Sequence, residues 1–282
     1  MEIERKWNNL RSLLAEMNGA VLAYSGGVDS SLLLKAASDV LHDRLIAVLA
    51  ISETYPPTEL QPATAFADSQ GVTLQVLHTT ELESGEFARN TPDRCYHCKK
   101  ELFAKLFEVA ASNGLRHVLD GSNTDDLNDH RPGRRAAAEF GVRSPLVEAD
   151  FSKQDIRECS RRLGLPTWNK PSLACLSSRI PYGTRITREA LRVIQSAEEY
   201  LHGLGFRQVR VRHHGDLARI ELDPADFPRL RVNGATEHIT KALKALGYRY
   251  VCLDLEGYRT GSMNEGLDRP LKVTIVKEGV KA

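Results

Sequence analysis

A five-residue apolar run, Ala20-Val21-Leu22-Ala23-Tyr24, is stopped by Ser25-Gly26-Gly27 and followed by a helical pattern from Ser30 to Leu41. This strand, glycine turn and helix constrain the fold more than any other part of the chain. A short apolar run bounded by a turn suits a strand buried on both faces, the kind found in parallel sheets covered by helices. The turn runs on through Val28-Asp29-Ser30-Ser31. Its glycines let the backbone approach an anion closely, and the amides of a helix N-terminus hold that anion. Ser25, Ser30 and Ser31 add hydroxyl donors. Asp29 would repel a phosphate unless Mg²⁺ lies between them, because a hard cation bridges carboxylate and phosphate oxygens. The plainer alternative is a glycine turn with Ser or Asp capping the helix. The strand in front and the helix behind argue against it. The motif is neither a Walker A loop nor the dinucleotide fingerprint.

Residues 3–18 predict an amphipathic helix, with Ile3, Trp7, Leu10, Leu13, Leu14 and Met17 at helical spacing. Further strands are expected at 45–51, 73–77 and 118–121, and helices at 57–70, 99–113 and 133–140. Ser144-Pro145-Leu146 is expected to begin another extended piece. Strands alternating with helices imply an α/β fold with a parallel sheet. Near residue 185 the pattern changes to a helix at 187–204, alternating strands at 208–212 and 218–222, a helix near 235–246 and a strand at 250–255. The expected division is a first domain over 1–184, a small α+β domain over 185–270 and a tail over 271–282.

Lys and Arg total 38 against 37 Asp and Glu, a net charge of +1, which argues against a strongly cationic nucleic-acid binder. No stretch reaches ~18 uninterrupted apolar residues, so a membrane span is excluded. The charged N-terminal segment lacks the apolar core of a signal peptide. A cytoplasmic location follows, where the five cysteines are reduced, metal-bound or catalytic rather than paired.

Cys95 and Cys98 form a CxxC at a helix start, where Arg94, Lys99 and the helix N-terminus are each expected to lower a thiol pKa. Cys175 lies between a Pro bend and a Ser/Arg loop. Cys159, in a helical pattern, and Cys252, in an apolar strand, read as inert core residues. For Cys95, Cys98 and Cys175 three readings stand: unrelated thiols, a zinc site completed by His97 or water, and a 4Fe–4S cluster with one iron open. A redox CxxC lacks its thioredoxin-like context. Asp125, in Gly121-Ser122-Asn123-Thr124-Asp125-Asp126 after the fourth strand, is a candidate second magnesium or nucleotide contact, at the strand ends where such folds build sites. Arg210 and Arg212 share one strand face, and guanidinium forks suit phosphate. Glu221, on the neighbouring strand, is placed to orient an arginine or bind metal, with Glu198 and Glu199 weaker candidates. Arg179 is a candidate contact to AMP or substrate, and Tyr96 a stacking residue. His213 and His214 are adjacent in a strand and face opposite ways, so they share no ion.

The loop at 25–31 resembles the PP-loop of the ATP pyrophosphatase superfamily, whose members adenylate a substrate oxygen and split ATP into AMP and pyrophosphate. The same pattern implies Ser52, after the second strand, on the adenine side. With the segments 92–99, 170–187 and 209–222, the chain resembles the LarE family over roughly residues 10–265. That resemblance implies an adenine nucleotide alpha hydrolase-like PP-loop domain with a smaller α+β domain, and ATP and Mg²⁺ at the loop. It implies conversion of a carboxylate of pyridinium-3,5-biscarboxylic acid mononucleotide to a thiocarboxylate, a step toward the nickel-pincer nucleotide of lactate racemase. Arg210 and Arg212 are implied to hold the substrate phosphate. Sulfur comes either from Cys175, which becomes dehydroalanine, or from a 4Fe–4S cluster on Cys95, Cys98 and Cys175. The CxxC sides with the cluster type. The family also implies homo-oligomers with the small domain at the contacts. The alternatives are a tRNA thiolase, which the balanced charge disfavours, an amide-forming synthetase, which needs an ammonia supply, and a non-catalytic ATP-binding protein, which would release no pyrophosphate.

Overall fold

The computed structural model describes residues 2–127, 132–171, 174–232, 234–259 and 261–265; the expected tail lies outside them. In chain order the elements are α1 (Glu2–Ala15), β1 (Ala20–Tyr24), α2 (Val28–Leu41), β2 (Leu45–Ile51), α3 (Leu60–Ser69), β3 (Thr73–His78), α4 (Gly85–Ala88), α5 (Arg94–Ser112), β4 (His117–Leu119), α6 (Gly133–Phe140), α7 (Pro145–Glu148) and α8 (Lys153–Arg162). There follow α9 (Arg188–Gly203), β5 (Val209–His214), β6 (Leu217–Leu222), α10 (Ala235–Ala245) and β7 (Tyr250–Leu253).

The first four strands form a parallel sheet in the order β3-β2-β1-β4. Leu22 of β1 stands in register with Ala47 on one side and Leu119 on the other. Successive side chains of β1 serve two cores. Ala20, Leu22 and Tyr24 pack with α1, α2 and α8, while Val21 packs with Phe103, Leu106 and Ala136 of α5 and α6. That is why the strand is apolar throughout. The chain steps outward from β1 to β2 and β3, then returns to place β4 on the free side of β1. The order reverses between β1 and β4, and such a switch opens a crevice at the C-terminal strand ends.

The second sheet has the order β5-β6-β7. β5 and β6 are an antiparallel hairpin, turned at Gly215 (φ +68°), and β7 joins β6 in parallel after the α10 crossover. Its core gathers Leu201, Val209, Val211, Ile220, Leu222 and Leu243. Between the sheets, Leu191 and Ile194 of α9 pack with Phe87 of α4 and with Leu176, Ile180 and Ile186.

Three expectations are corrected. The helix expected from 99 begins at Arg94, so the CxxC occupies its first turn. The extended piece expected from Ser144 is instead the one-turn helix α7, with Pro145 at its first position, where a fixed φ suits a helix start. The extended contact comes just before it, where Arg143 bridges Leu119. Cys159 is buried as expected, but Cys252 is exposed. β7 is an edge strand covered on one face only, so Val251 and Leu253 pack inward while Tyr250 and Cys252 face outward. No helix among the described residues is long and apolar enough to cross a membrane.

Candidate active site

The phosphate-loop candidate lies at the β1/β4 switch point. Gly26 has φ +72°, and a Cβ there would stand 2.8 Å from Ala63 Cβ, so only glycine fits the turn. The Ser25 and Ser30 hydroxyls are 3.1 Å apart, and Ser30 Oγ donates to the Gly27 carbonyl at 3.2 Å. Gly121, at the end of β4, lies against the first turn of α2, where a Cβ would come 3.1 Å from the Ser30 nitrogen. That close approach brings the loop after β4 to the phosphate loop. Asn123 Nδ2 donates to Asp29 Oδ1 at 3.4 Å, and the Lys153 ammonium reaches Asp29 Oδ2 at 2.5 Å. Asp125 accepts the Lys153 backbone N–H at 3.1 Å. Asp29 and Asp125, distant in sequence, are thus joined through Lys153 and Asn123. Lys170 closes the other side, donating to the Gly26 carbonyl at 3.0 Å and pairing with Glu59. After β2, Ser52 Oγ donates to the buried Glu81 at 2.6 Å, and Thr54 Oγ1 donates to the same oxygen at 2.9 Å.

The thiols gather nearby. Cys95 and Cys98, three residues apart in the first turn of α5, share a helix face. Burial pushes the Cys95 thiol up, and Cys175 adds to the rise. Burial also pushes the Cys98 thiol up, with Glu81 next and Cys175 and Cys95 contributing. The expected lowering by Arg94 and Lys99 is present at Cys95 but is outweighed, because desolvation disfavours a thiolate more than those cations favour it. Cys175 itself is exposed. Each thiol acts electrostatically on the others, so the three occupy one locale. Among the described residues no three His, Cys, Asp or Glu side chains converge as a single ion requires. A cluster several ångströms across spaces its thiolates more widely than one zinc ion does, and the donor set of three thiols suits it. His97 Nδ1 lies 2.9 Å from Glu86 Oε2, and Tyr96 is engaged by the Arg135 guanidinium, 3.9 Å from its ring centroid.

Arginines line the third side. Glu221 stands opposite Arg210 in the β5/β6 register, yet it pairs diagonally with Arg212, which donates to it at 2.6 Å. Arg212 also donates to the Ser178 carbonyl at 3.0 Å, and its buried Nε has no hydrogen-bond partner among the described residues. Burial, with the like charge of Arg179, pushes the Arg210 guanidinium down to about 10. Arg179, expected at AMP or substrate, is 3% exposed and makes a two-pronged pair with Glu198 at 2.9 and 2.8 Å. Its remaining nitrogen donates to the carbonyls of Ala174 (2.6 Å) and Cys175 (3.0 Å). Its guanidinium therefore holds the Cys175 loop rather than pointing into open space. His213 bonds Tyr248 through Nδ1 at 3.0 Å, while the adjacent His214 faces the other way.

Asn90 escaped the sequence reading. It is fully buried with φ +56°, and its Nδ2 donates to the carbonyls of Ile180 (3.2 Å), Pro181 (2.8 Å) and Thr184 (2.9 Å). Its Oδ1 accepts from Arg94 at 2.5 Å, and Arg94 also donates to the Ser177 carbonyl at 3.0 Å. Asn90 and Arg94 therefore fasten the CxxC helix to the chain that follows Cys175. An Asn before a helix in a positive-φ position is the signal that marks it. Asn90→Ala is expected to cost about 3 kcal/mol or more in urea unfolding, because it leaves several buried groups unpaired. Hydrogen exchange should quicken at the Gly183 amide, which donates to the Asn90 carbonyl, and at the nearby Ile186 amide. Unchanged exchange at both would show that the fastening is not needed.

Comparison with known proteins agrees with this geometry. The family described as NAD synthase matches residues 2–101, the part that carries the phosphate loop. A glutamine-hydrolyzing GMP synthase of Pyrococcus horikoshii is 26% identical over 70% of each chain. An uncharacterized protein of Synechocystis sp. is 44% identical over 95% of this chain and 100% of its own. The pyridinium-3,5-bisthiocarboxylic acid mononucleotide synthase of Lactiplantibacillus plantarum is 42% identical over 92% of this chain and 94% of its own. The first two likenesses reach only part of the chain, whereas the last takes in the loop, the thiols and the arginines together, and by it the chain belongs to the LarE family of PP-loop proteins.

Proposed function

We propose that the protein is an ATP-dependent sulfurtransferase of nickel-pincer nucleotide biosynthesis. It adenylates a carboxylate of pyridinium-3,5-biscarboxylic acid mononucleotide and replaces the AMP with sulfur, giving a thiocarboxylate, AMP and pyrophosphate. One observation carries this reading: the loop bearing Cys175 is held between the other two parts of the site. Leu176 N–H donates to the Thr54 carbonyl at 2.9 Å, on the side of Ser52 and the phosphate loop. Arg212 grips the Ser178 carbonyl from the small sheet. A sulfur there faces an activated group with nucleotide on one side and a guanidinium-held phosphate on the other.

A carboxylate is a poor electrophile, and adenylation gives it a leaving group. Gly26, Gly27 and the first amides of α2 cradle the phosphates, with the Ser25 and Ser30 hydroxyls as further donors. Asp29 is the residue for Mg²⁺, with Asp125 beside it, and the Lys153 ammonium already stands on that carboxylate as a cation would. When bound, Mg²⁺ offsets the charge that grows on the departing pyrophosphate. Ser52 faces the adenine side. Arg210 and Arg212 hold the substrate phosphate, Glu221 orients Arg212, and Arg179 with Glu198 positions the Cys175 loop. When bound on Cys95, Cys98 and Cys175, a 4Fe–4S cluster supplies sulfide from its open iron. Without it, Cys175 attacks the adenylate and AMP departs; loss of its Cα proton then breaks the Cβ–S bond, leaving dehydroalanine. Residues 185–270 form the substrate-holding domain and the contact region of a cytoplasmic homo-oligomer.

Incubation with ATP, Mg²⁺ and the dicarboxylate mononucleotide should produce AMP and pyrophosphate. A protein that forms no AMP with that acceptor present sinks the reading. Under anaerobic purification, bound iron and sulfide with repeated turnover mark the cluster route, and Cys95→Ser should abolish both. Loss of H₂S from residue 175 in the mass spectrum marks the sacrificial one.

A further inference from the structure

Lys153 lies far from the glycine loop in sequence yet touches its only acidic residue. It opens α8, and its ammonium stands 2.5 Å from Asp29 Oδ2 while its backbone N–H is held by Asp125. Asp29 Oδ1 accepts from Asn123 at 3.4 Å. Asp29 is fixed by the first turn of α2, whereas the lysine has a flexible four-carbon stem. Both side chains are partly exposed, at 32% for Lys153 and 23% for Asp29, so the pair is weak and easily exchanged. Lys170, across the loop, differs: it is less exposed and held by both the Gly26 carbonyl and Glu59. Of the two lysines, Lys153 is the one able to move.

A divalent cation and an ammonium cannot both occupy Asp29 at contact distance without strong repulsion. A displaced ammonium anchored beside the loop finds its nearest new anion in the phosphates that the cation accompanies. We propose that Lys153 is an exchangeable counter-ion of the nucleotide site: it neutralises Asp29 in the absence of nucleotide, yields the carboxylate to the incoming metal, and turns onto the phosphates. This rests on reading the 25–31 loop as an ATP site.

The two halves of the proposal move two affinities in opposite directions, which a merely structural lysine would not do. In the full-length protein without nucleotide, Lys153→Gln should bind Mn²⁺ about two- to fivefold more tightly, because the competing cation is gone. The same variant should bind ATP with Mg²⁺ about 10- to 100-fold more weakly, the loss of one charge-assisted contact. Lys153→Arg keeps the charge and should restore both values toward wild type. Calorimetric titration reads each, and an unchanged melting temperature shows the fold intact. Unchanged Mn²⁺ affinity in Lys153→Gln, or unchanged ATP affinity, overturns the exchange. Wild-type protein that binds no ATP overturns the nucleotide reading itself, whereas wild type that binds ATP alongside an equally competent Lys153→Gln overturns only the role of Lys153.

Discussion

Glu198→Ala should destabilise the protein by about 3–5 kcal/mol in urea unfolding, the usual cost of removing one member of a buried ion pair. The pair is two-pronged, and the same carboxylate accepts the Val211 N–H at 2.9 Å. Alanine would leave the Arg179 guanidinium buried without its counter-charge and beside Arg210. Burial pushes the Glu198 carboxyl up, but Arg179, then Arg210 and the Val211 N–H, outweigh it and hold it below the ordinary carboxylate range. A carboxyl so lowered contributes stability above its unfolded value, about 4.3, and loses it as pH falls through the folded value. Wild-type stability should therefore drop below about pH 4 more steeply than that of Glu198→Gln. A Glu198→Ala protein within about 1 kcal/mol of wild type would show that Arg179 finds another partner or solvent.

Gly26→Ala is expected to lower AMP formation by at least about 10²-fold, as for loss of a preorganised anion-binding group. Two effects combine. A side chain at φ +72° costs about 1–2 kcal/mol. The added Cβ also meets Ala63 of α3 at 2.8 Å, so the loop must shift away from its anion-holding shape. Gly71→Ala is the control: it shares a positive φ of +66° but meets nothing within 4 Å. It should carry a similar strain and leave AMP formation unchanged. Activity within tenfold of wild type in Gly26→Ala would mean that the turn holds no phosphate.

The chemistry of the phosphate loop was legible because it is local. A strand, two glycines and a helix start lie within a dozen residues, and each residue's preference points the same way. The parallel sheet was legible for the same reason, through apolar strands alternating with helical patterns. The partners of the candidate residues were not. Arg179 and Glu198 lie on different elements, Asn90 grips carbonyls some ninety residues away, and Lys153 reaches Asp29 across the switch point. Cys252 read as core because an apolar strand does not reveal whether it lies at an edge, and the CxxC thiols read as acidified because sequence shows nearby cations but not desolvation.

The amino-acid order by itself determined the family, the α/β architecture and the residue types of the site, since these follow from short-range patterning of apolar, glycine and charged residues. Only the tertiary structure decided how those residues are used: which arginine faces a carboxylate, which cation stands on Asp29, and that three thiols from distant segments share one place. Those outcomes depend on desolvation and on contacts across the sheet order, where the energy of a charge is set by its neighbours in space.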